Sequence, residues 1–318
     1  MARLLPITNA SIKEAAELLC TGELVSLPTE TVYGLGANAL DDTAVAKIFT
    51  AKNRPSFNPL IVHVPDIATA KRYAAFNNLA ERVAEAFWPG PLSIVLPRTN
   101  DCALSKLVSA GLKTVAIRIP ALPQARRLFE VSDLPIAAPS ANKSNRLSPT
   151  EAQHVANSFG DEVSLVLDGG PCTVGLESTV LDLSTAIPTL LRAGGTSLDA
   201  LENVIGRALA YAETDDHTPK SPGMLSRHYA PQTPLRMNAT RAERDEVLLG
   251  FGPINGRRNL SPSGDLTEAA ANFFRFLHEL DALNCAGIAV EQIPKEGLGY
   301  AINDRLSRAT HTSKINFR

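Results

Sequence analysis

The sequence predicts a two-domain α/β protein whose larger, N-terminal domain is built on a twisted mixed sheet. Short apolar segments typical of strands alternate with amphipathic segments typical of helices, which is the pattern of the α/β class. Helices do not separate every pair of strands, since residues 164–191 contain successive predicted strands, so parallel and antiparallel pairs should coexist. At 318 residues the chain exceeds one average domain, and a polar segment with four prolines at 214–234 interrupts the pattern.

Local signals place the elements of the first domain, which we predict at 1–210. A capping-box pattern at Ser11 and Glu14 predicts a helix over 12–20, and Gly22 suits its end. Residues 28–36 form a polar, Gly-bearing turn, and Thr150 with Gln153 should cap a later helix. Strands are predicted at 23–27, 60–64, 92–96, 114–119, 136–138, 164–167, 179–183 and 189–191. Further helices are predicted near 43–50, 67–74, 79–87, 123–130, 150–158 and 198–210.

A linker at 211–234 should join this domain to a smaller, Rossmann-like α/β domain at 235–318. Its predicted strands are 235–237, 247–251 and 288–291. Its predicted helix, 266–283, has an apolar face formed by Phe273, Phe274, Leu277 and Leu280. Two segments, at 34–39 and 297–302, begin like the dinucleotide-binding G-x-G-x-x-G motif but lack its third glycine. Any nucleotide site must therefore be built differently.

Composition excludes several classes of protein. With 31 basic and 33 acidic residues, the net charge of -2 argues against a protein whose main function is to bind nucleic acid. The cysteines, at 20, 102, 172 and 285, are far apart in sequence, which indicates neither a metal-binding pair nor a disulfide framework and favours a reducing cytoplasm. No signal-peptide pattern or membrane-length apolar segment is present, so we expect a cytoplasmic protein without a membrane partner.

The segment Leu27–Pro59 carries the densest chemical signal. A short apolar run ends at Leu27 and enters a turn rich in hydroxyls and glycine. After a helix-like segment, Lys52 and Arg54 stand two residues apart beside two prolines. A rigid loop with hydroxyls, backbone amides and two fixed cations suits an anionic ligand, phosphate above all.

A series of motifs then runs through the chain in order. They are PTETVYGLG at 28–36, the K-x-R of Lys52 and Arg54, NPLIVHV at 58–64, WPGPLSIVL at 88–96, VAIRIP at 115–120, APSAN at 138–142 and ESTV at 177–180. Together they resemble the YrdC-like family of threonylcarbamoyl-AMP synthases. SPGMLSRHYAP at 221–231 is similar to the linker of the long, two-domain members. The resemblance spans essentially the whole chain.

The resemblance implies an enzyme that joins L-threonine, bicarbonate and ATP into threonylcarbamoyl-AMP and pyrophosphate. That product feeds a tRNA modification, threonylcarbamoyladenosine, through a downstream tRNA threonylcarbamoyl transferase machinery, and direct tRNA binding should be weak or absent. Mg²⁺ is expected with ATP, held mainly by phosphates and water, since no Asp/Glu pair indicates a metal site. No protein nucleophile is needed, so the absence of a recognisable catalytic triad fits this chemistry.

The resemblance also implies roles for individual residues. Lys52 and Arg54 would be catalytic, by positioning and neutralising phosphate charge. The ATP site would comprise Lys52, Arg54, Asn58, Thr114, Ser140, Asn142, Ser148, Arg192 and Tyr229. The threonine site would comprise Thr31, His63, Arg118 and Ser178.

Each role competes with a structural alternative. Lys52 and Arg54 could simply stabilise a helix end. Arg118, inside an apolar strand, needs an anionic partner, which could be a structural Asp or Glu instead of a substrate carboxylate. His63 could be an ordinary core histidine. The segment 140–148 could be a turn leading to a helix cap, although the carboxyl end of a strand is where α/β proteins place ligands.

The linker and the overall function leave alternatives as well. Ser221–Tyr229, which contains Met224 and Arg227, could close over the ATP site as a lid, or it could be a tether between independent domains. An RNA-binding or ribosome-assembly protein without turnover is the second hypothesis for function. Only 5% of the residues are aromatic, which counts against it. A nucleotide sensor that binds ATP without turnover is the third.

Overall fold

The computed structural model describes residues 3–212 and 228–310 and confirms the α/β class. The described part of the first domain contains a single mixed sheet. Its strands are β1 (Leu4–Pro6), β2 (Val25–Leu27), β3 (Gly34–Asn38), β4 (Ile61–His63), β5 (Leu92–Pro97), β6 (Thr114–Arg118), β7 (Ile136–Ala137), β8 (Leu165–Asp168), β9 (Thr179–Asp182), β10 (Thr189–Arg192) and β11 (Ala210–Tyr211). The spatial order is β1-β8-β2-β3-β7-β4-β6-β5-β9-β10-β11. Parallel pairs such as β4/β6 and β5/β9 alternate with antiparallel pairs such as β5/β6 and β9/β10, as predicted.

Helices cover the sheet and the predicted helical segments are all present. They are α1 (Asn9–Cys20), α2 (Asp42–Lys52), α3 (Ile67–Tyr73), α4 (Asn78–Phe87), α5 (Pro123–Ser132), α6 (Ala152–Phe159) and α7 (Leu198–Ile205). Two predicted caps are wrong. Thr8, not Ser11, caps α1, and Ser11 completes that capping box from within the helix. α6 is preceded by Glu151, which makes no side-chain cap bond, instead of by Thr150.

The second domain is a small Rossmann-like unit with an all-parallel sheet in its described part. Its strands are β12 (Leu235–Arg236), β13 (Glu246–Gly250), β14 (Arg258–Asn259) and β15 (Gly287–Val290), in the order β12-β15-β13-β14. Its helices are α8 (Leu266–Asp281) and α9 (Gly299–Thr310). The predicted apolar face of α8 is confirmed, because Phe273, Phe274, Leu277 and Leu280 are all buried. Helix α9 was not predicted.

Strand β3 replaces the second half of the turn predicted at 28–36. Its sequence, GLGAN, has low strand propensity because glycine has no side chain to pack. A Cβ on Gly36 would lie 2.8 Å from Leu27 Cδ2 and 3.0 Å from the Val25 carbonyl oxygen. Glycine therefore allows β3 to pair with β2 at close range, and residues 28–33 become the loop of that hairpin.

The two faces of the central sheet contribute to different hydrophobic clusters. Val62, Val64 and Ile117 join the large core beneath the helices. Their neighbours along the same strands point the other way, as strand geometry requires. Those neighbours form a separate, small cluster of Ile61, Val95, Ala116, Val180 and Leu191. This second face is the one on which the cavity described below is built.

The second domain packs directly on loops of the first. Val32, Leu147 and Leu176 from the first domain share a core with α8 and α9. Gly175 permits the approach, since a Cβ there would lie 2.3 Å from the Ala270 carbonyl oxygen, and its φ is +72°. Among the described residues, no helix is long and apolar enough to cross a membrane. The domain boundaries themselves stay predictions.

Candidate active site

A cavity lies against the second face of the sheet. Ile61 and His63, two residues apart on β4, form part of its floor. The sequence predicted a site beyond the carboxyl end of a strand, at Ser140, and the structure extends that site onto the face of the sheet. Its wall residues are Thr29, Thr31, Val32, Gly34, Arg54, Ile61, His63, Arg118, Ala138, Pro139, Ser140, Glu177, Ser178, Arg192, His228 and Tyr229.

All four residues of the predicted threonine site line this cavity. His63 and Arg118 end neighbouring parallel strands and are register partners. Arg118 donates to Thr31 Oγ1 over 2.8 Å, which brings the hairpin loop to the floor. Ser178 meets the buried hydroxyl of Ser93 across 2.7 Å. The result is a compact polar pocket with a fixed cation.

Arg118 has the structural partner that was one of the two alternatives. It forms an ion pair of 2.6 Å with Glu30, and both side chains are buried. Glu30 also accepts from the backbone N–H of Ala121 over 3.0 Å. Arg118 donates further to the Gly90 carbonyl over 3.2 Å. Three of the five guanidinium N–H groups have these partners, which leaves two further donors on a side chain that lines the cavity.

His63 supplies a neutral imidazole. Burial, together with the nearby charge of Arg118, lowers the pKa of His63 to about 3. The ring is therefore uncharged near neutral pH and can donate or accept a hydrogen bond without adding charge. This property distinguishes it from the cations around it.

A group of cations also lines the cavity. Arg54 and Arg192 line it, and Arg192 is anchored on the Ser178 carbonyl oxygen at 2.8 Å. Arg54 is anchored through Asn58, whose Oδ1 accepts from it over 2.7 Å. Asn58 itself does not line the cavity and acts by holding Arg54. Burial lowers the pKa of Arg54 to about 9, which leaves it charged near neutral pH.

Lys52 is not in an exposed loop. It ends α2, is 2% exposed, and donates to the carbonyl oxygens of Ser140 and Asn142. Burial first, then the charges of Arg54 and Lys143, lowers the pKa of its ammonium group. Lys52 therefore lies beneath the cavity wall, where it orients the loop at 140–144 and adds to the positive potential.

The loop 140–148 contributes one wall residue and two supporting residues. Ser140 lines the cavity. Asn142 is buried and donates to the carbonyl oxygens of Lys143 and Arg146, both over 2.9 Å. Ser148 is fully buried, and its hydroxyl donates to Glu177. Asn142 and Ser148 do not line the cavity, and the ATP contacts expected of them stay predictions.

Thr114 is placed away from the site. It begins β6, pairs with Pro97, and lies four residues before Arg118. Four residues of strand span roughly 13 Å, so a shared face does not make Thr114 a neighbour of Arg118 in the cavity. Thr114 does not line the cavity, and its ATP contact stays a prediction.

The segment entering the second domain closes one side of the cavity. His228 and Tyr229 line it, with their rings 3.9 Å apart between centroids. Tyr229 was predicted at the ATP site, whereas His228 was predicted only as part of the lid, with no ligand assigned to it. Burial, and then the charges of Arg54 and Lys52, lowers the pKa of His228 well below its ordinary value. The remainder of the predicted lid, including Met224 and Arg227, lies outside the described residues.

Several functional residues escaped the sequence reasoning. Glu177 lines the cavity and contacts Ser148 and Arg305, the latter at 3.0 Å from helix α9. Thr29, Glu30 and Ser93 support the polar pocket. Glu30 and Glu177 stand inside motifs quoted above, PTETV and ESTV, which was the available signal. Arg305 had none, because the wall residues that it contacts, Glu177 and Tyr229, are distant from it in sequence.

The fold and this cavity define a class: an α/β protein with a cation-lined cavity that also contains a small polar pocket. The chain belongs to the threonylcarbamoyl-AMP synthase family, in its two-domain form. The family described as "Telomere recombination" matches residues 17–194, and the family described as "Threonylcarbamoyl-AMP synthase, C-terminal domain" matches residues 196–310.

Individual relatives agree over the whole length. The threonylcarbamoyl-AMP synthase of Pyrococcus abyssi is 40% identical over 96% of this chain and 95% of its own. That of Bacillus subtilis is 41% identical over 96% of this chain and 94% of its own. The crystal structure of P. abyssi Sua5 complexed with L-threonine superposes with a TM-score of 0.90 at 37% identity, covering 98% of this chain and 97% of that one.

Proposed function

We propose that this chain synthesises threonylcarbamoyl-AMP and pyrophosphate from L-threonine, bicarbonate and ATP. One observation carries the proposal: the polar pocket of Thr31, His63, Arg118 and Ser178 opens into the same cavity as the cations Arg54 and Arg192. An amino acid and a nucleoside triphosphate can thus lie side by side. Membership of a family of threonylcarbamoyl-AMP synthases supports the same reaction.

The chemistry needs positioning more than it needs a protein nucleophile. Bicarbonate and the threonine amine form a carbamate with loss of water. A carbamate oxygen then attacks the α-phosphorus, the bond to the bridging oxygen breaks, and pyrophosphate leaves with the electron pair. Arg54 and Arg192 offset the negative charge of the phosphates, and Lys52 adds to their potential from beneath the wall. The two-substrate pocket supplies proximity.

Arg118 is proposed to hold the threonine carboxylate through donors that Glu30, Thr31 and Gly90 leave available. Because Glu30 already balances its charge, Arg118 stays in place without substrate. Neutral His63 suits recognition of the threonine hydroxyl, since it brings no competing charge.

Mg²⁺ is proposed only as a companion of ATP. Among residues 3–212 and 228–310, no group of three or more His, Cys, Asp or Glu side chains could hold a metal ion. Glu177, a carboxylate in the cavity wall, is engaged by Ser148 and Arg305. These residues do not form a resident metal site, so the phosphates of ATP and water would supply the ligands of the ion.

The product is proposed to pass to a tRNA threonylcarbamoyl transferase, with weak or no direct tRNA binding by this chain, in the cytoplasm. The alternative, an RNA-binding protein without turnover, would show RNA affinity that falls steeply with salt. A nucleotide sensor would bind ATP without releasing pyrophosphate.

The test is pyrophosphate release from ATP and bicarbonate, measured with L-threonine, L-serine, L-valine or no amino acid. We expect release to require an amino acid. A pocket that hydrogen-bonds the hydroxyl should reject valine by roughly 10⁴-fold, whereas serine, which lacks one methyl, should lose about 10–200-fold. Release that is independent of threonine, or equal rates with valine, would contradict the proposal.

A further inference from the structure

Arg305, a side chain of the second domain, lies buried against the wall of the first-domain cavity. It projects from α9 and is 0% exposed, the largest of the fully buried side chains in the described chain. Its Nε donates to Glu177 Oε2 over 3.0 Å, and its guanidinium carbon lies 5.0 Å from the centroid of the Tyr229 ring. Glu177 and Tyr229 are both cavity wall residues, so a single side chain touches two parts of the wall from behind.

Charges and hydrogen bonds extend this contact into a network behind the cavity wall. Arg305 Nη1 donates to Asp304 Oδ2 over 2.9 Å, and Asp304 Oδ1 accepts from Arg308 over 3.0 Å. At the other end, Glu177 accepts from Ser148. Burial by itself would raise the pKa of Glu177, but the charges of Arg305 and Arg192 outweigh it and lower that pKa. Glu177 therefore stays ionised inside the wall.

The geometry of Tyr229 indicates what Arg305 supports. Tyr229 has a φ of +62°, a conformation that a bulky residue adopts only when its surroundings hold it there. The Arg305 guanidinium over its ring and Phe274, with a ring centroid 5.9 Å away, provide that support from the second domain. The second domain also contacts His228, the residue before Tyr229: the backbone N–H of His228 donates to the Arg308 carbonyl oxygen over 3.4 Å.

We propose that Arg305 is a positioning residue of the active site: it fixes Glu177 and Tyr229 in the cavity wall, so the second domain completes the substrate site of the first. The inference rests on the proposed function for its kinetic readout. The competing interpretation is an interdomain ion pair that serves stability alone. Buried ion pairs are weak contributors to stability compared with apolar packing, which favours a role in geometry for this one.

The experiment compares full-length variants. Arg305→Lys keeps the charge but loses the planar fork and the stacked contact. Arg305→Met combined with Glu177→Gln removes the pair without leaving one charge buried alone, and so protects the fold. The matched control is Arg258→Met, which removes an exposed ion pair with Glu279 in the same domain. For each variant we would measure kcat and KM for pyrophosphate release, ATP and L-threonine affinity by calorimetry, and the urea midpoint.

We expect the double variant to fold with a near-normal urea midpoint but to lose about 10²-fold in kcat/KM for ATP, as a displacement of about 1 Å can cost where positioning controls the rate. Arg305→Lys should lose less in the same direction, and Arg258→Met should match the wild type. Wild-type kinetics and ATP affinity in the double variant would overturn the proposal. The proposal would also be overturned if the loss of activity in Arg305→Lys were fully explained by its unfolded fraction.

The calorimetry separates this inference from the proposed function. If the wild-type chain releases no pyrophosphate with threonine, the proposed reaction fails, yet ATP affinity still tests Arg305. Weaker ATP binding in both Arg305 variants, with unchanged binding in Arg258→Met, would then support the positioning role. Unchanged binding in all of them would refute it.

Discussion

Lowering the pH from 7.5 to 5 should destabilise the folded chain through two imidazoles that stack between the domains. His154, on α6, and His278, on α8, lie face to face with ring centroids 3.8 Å apart. His154 Nδ1 accepts from the Thr150 N–H over 3.3 Å, and His278 Nε2 lies 3.1 Å from the Ser148 carbonyl oxygen. Burial, and then the neighbouring His278, lowers the pKa of His154 to about 3.

The magnitude follows from proton linkage. The folded pKa of about 3 is below the ordinary value of 6.5, so the unfolded chain takes up the proton first and acid favours unfolding. The loss begins as the pH falls below about 6.5 and grows until about pH 3. At pH 5 it corresponds to about 1.5 pH units at 1.36 kcal/mol each, or roughly 2 kcal/mol from His154.

The assay isolates that contribution by difference. His63 has a similarly lowered pKa and adds its own acid sensitivity, so the wild type alone is not informative. His154→Asn keeps an acceptor near the Thr150 N–H but cannot titrate. Urea unfolding at pH 7.5 and pH 5, followed by the fluorescence of Trp88, the single tryptophan, reports on the first domain. We expect the variant to lose roughly 2 kcal/mol less than the wild type between the two pH values.

The variant also loses the ring stack, which lowers its stability at both pH values and cancels in the comparison. Asn157→Ala, an exposed change on the same helix, should retain the wild-type acid sensitivity. If His154→Asn and the wild type lost equal stability between pH 7.5 and 5, protonation of the stacked pair would not be what destabilises the chain.

Two further predictions concern the cations and the linker. Arg54→Ala should lower pyrophosphate release at least tenfold, since one lost transition-state contact costs roughly 2.7–4 kcal/mol. Lys52→Ala should also lower it at least tenfold, because the wall loop loses the side chain that holds it. Exposed Arg127→Ala is the control, circular dichroism checks that each variant folds, and near-normal release by the double variant would contradict the assignment. Truncation after Ala212, which keeps the β10/β11 pairing, should leave a folded first domain with weakened ATP binding if the linker closes the site. Unchanged kinetics, with unchanged protease sensitivity of the linker on adding ATP and threonine to the full chain, would favour a tether.

Much of the fold was predictable because apolar runs and helical periodicity are local properties. Strands such as Leu92–Pro97 and the apolar face of α8 follow from such patterns. Strand β3 was not predictable in this way, since glycines that disfavour a strand in isolation are required by the closeness of Leu27. Helix α9 begins at Gly299 and carries Asn303, Asp304 and Arg305 in its middle, where burial of polar residues hides the usual amphipathic signal.

The site divides in a similar way. The family resemblance implied site roles for Arg54, His63, Arg118 and Ser178, and the structure brings these four residues together in the cavity wall. The sequence could not distinguish residues that line the cavity from residues that only hold the wall in place. Ser140 and Ser148 are the same residue type in one loop, but only Ser140 lines the cavity, whereas Ser148 bonds Glu177. That distinction depends on Glu177 and on the packing of the second domain, which are contacts between distant parts of the chain.

Arg118 shows why the structural and the functional interpretations of a buried cation need not compete. Burying its charge in an apolar strand without a partner would be unfavourable, and the ion pair with Glu30 offsets that desolvation free energy in the absence of substrate. With the partner in place, the donors that remain can bind a carboxylate without moving the side chain. Preorganised donors of this kind avoid reorganisation during the reaction. The structural partner is therefore a condition for the proposed binding role, and Glu30 belongs to the threonine site as much as Arg118 does.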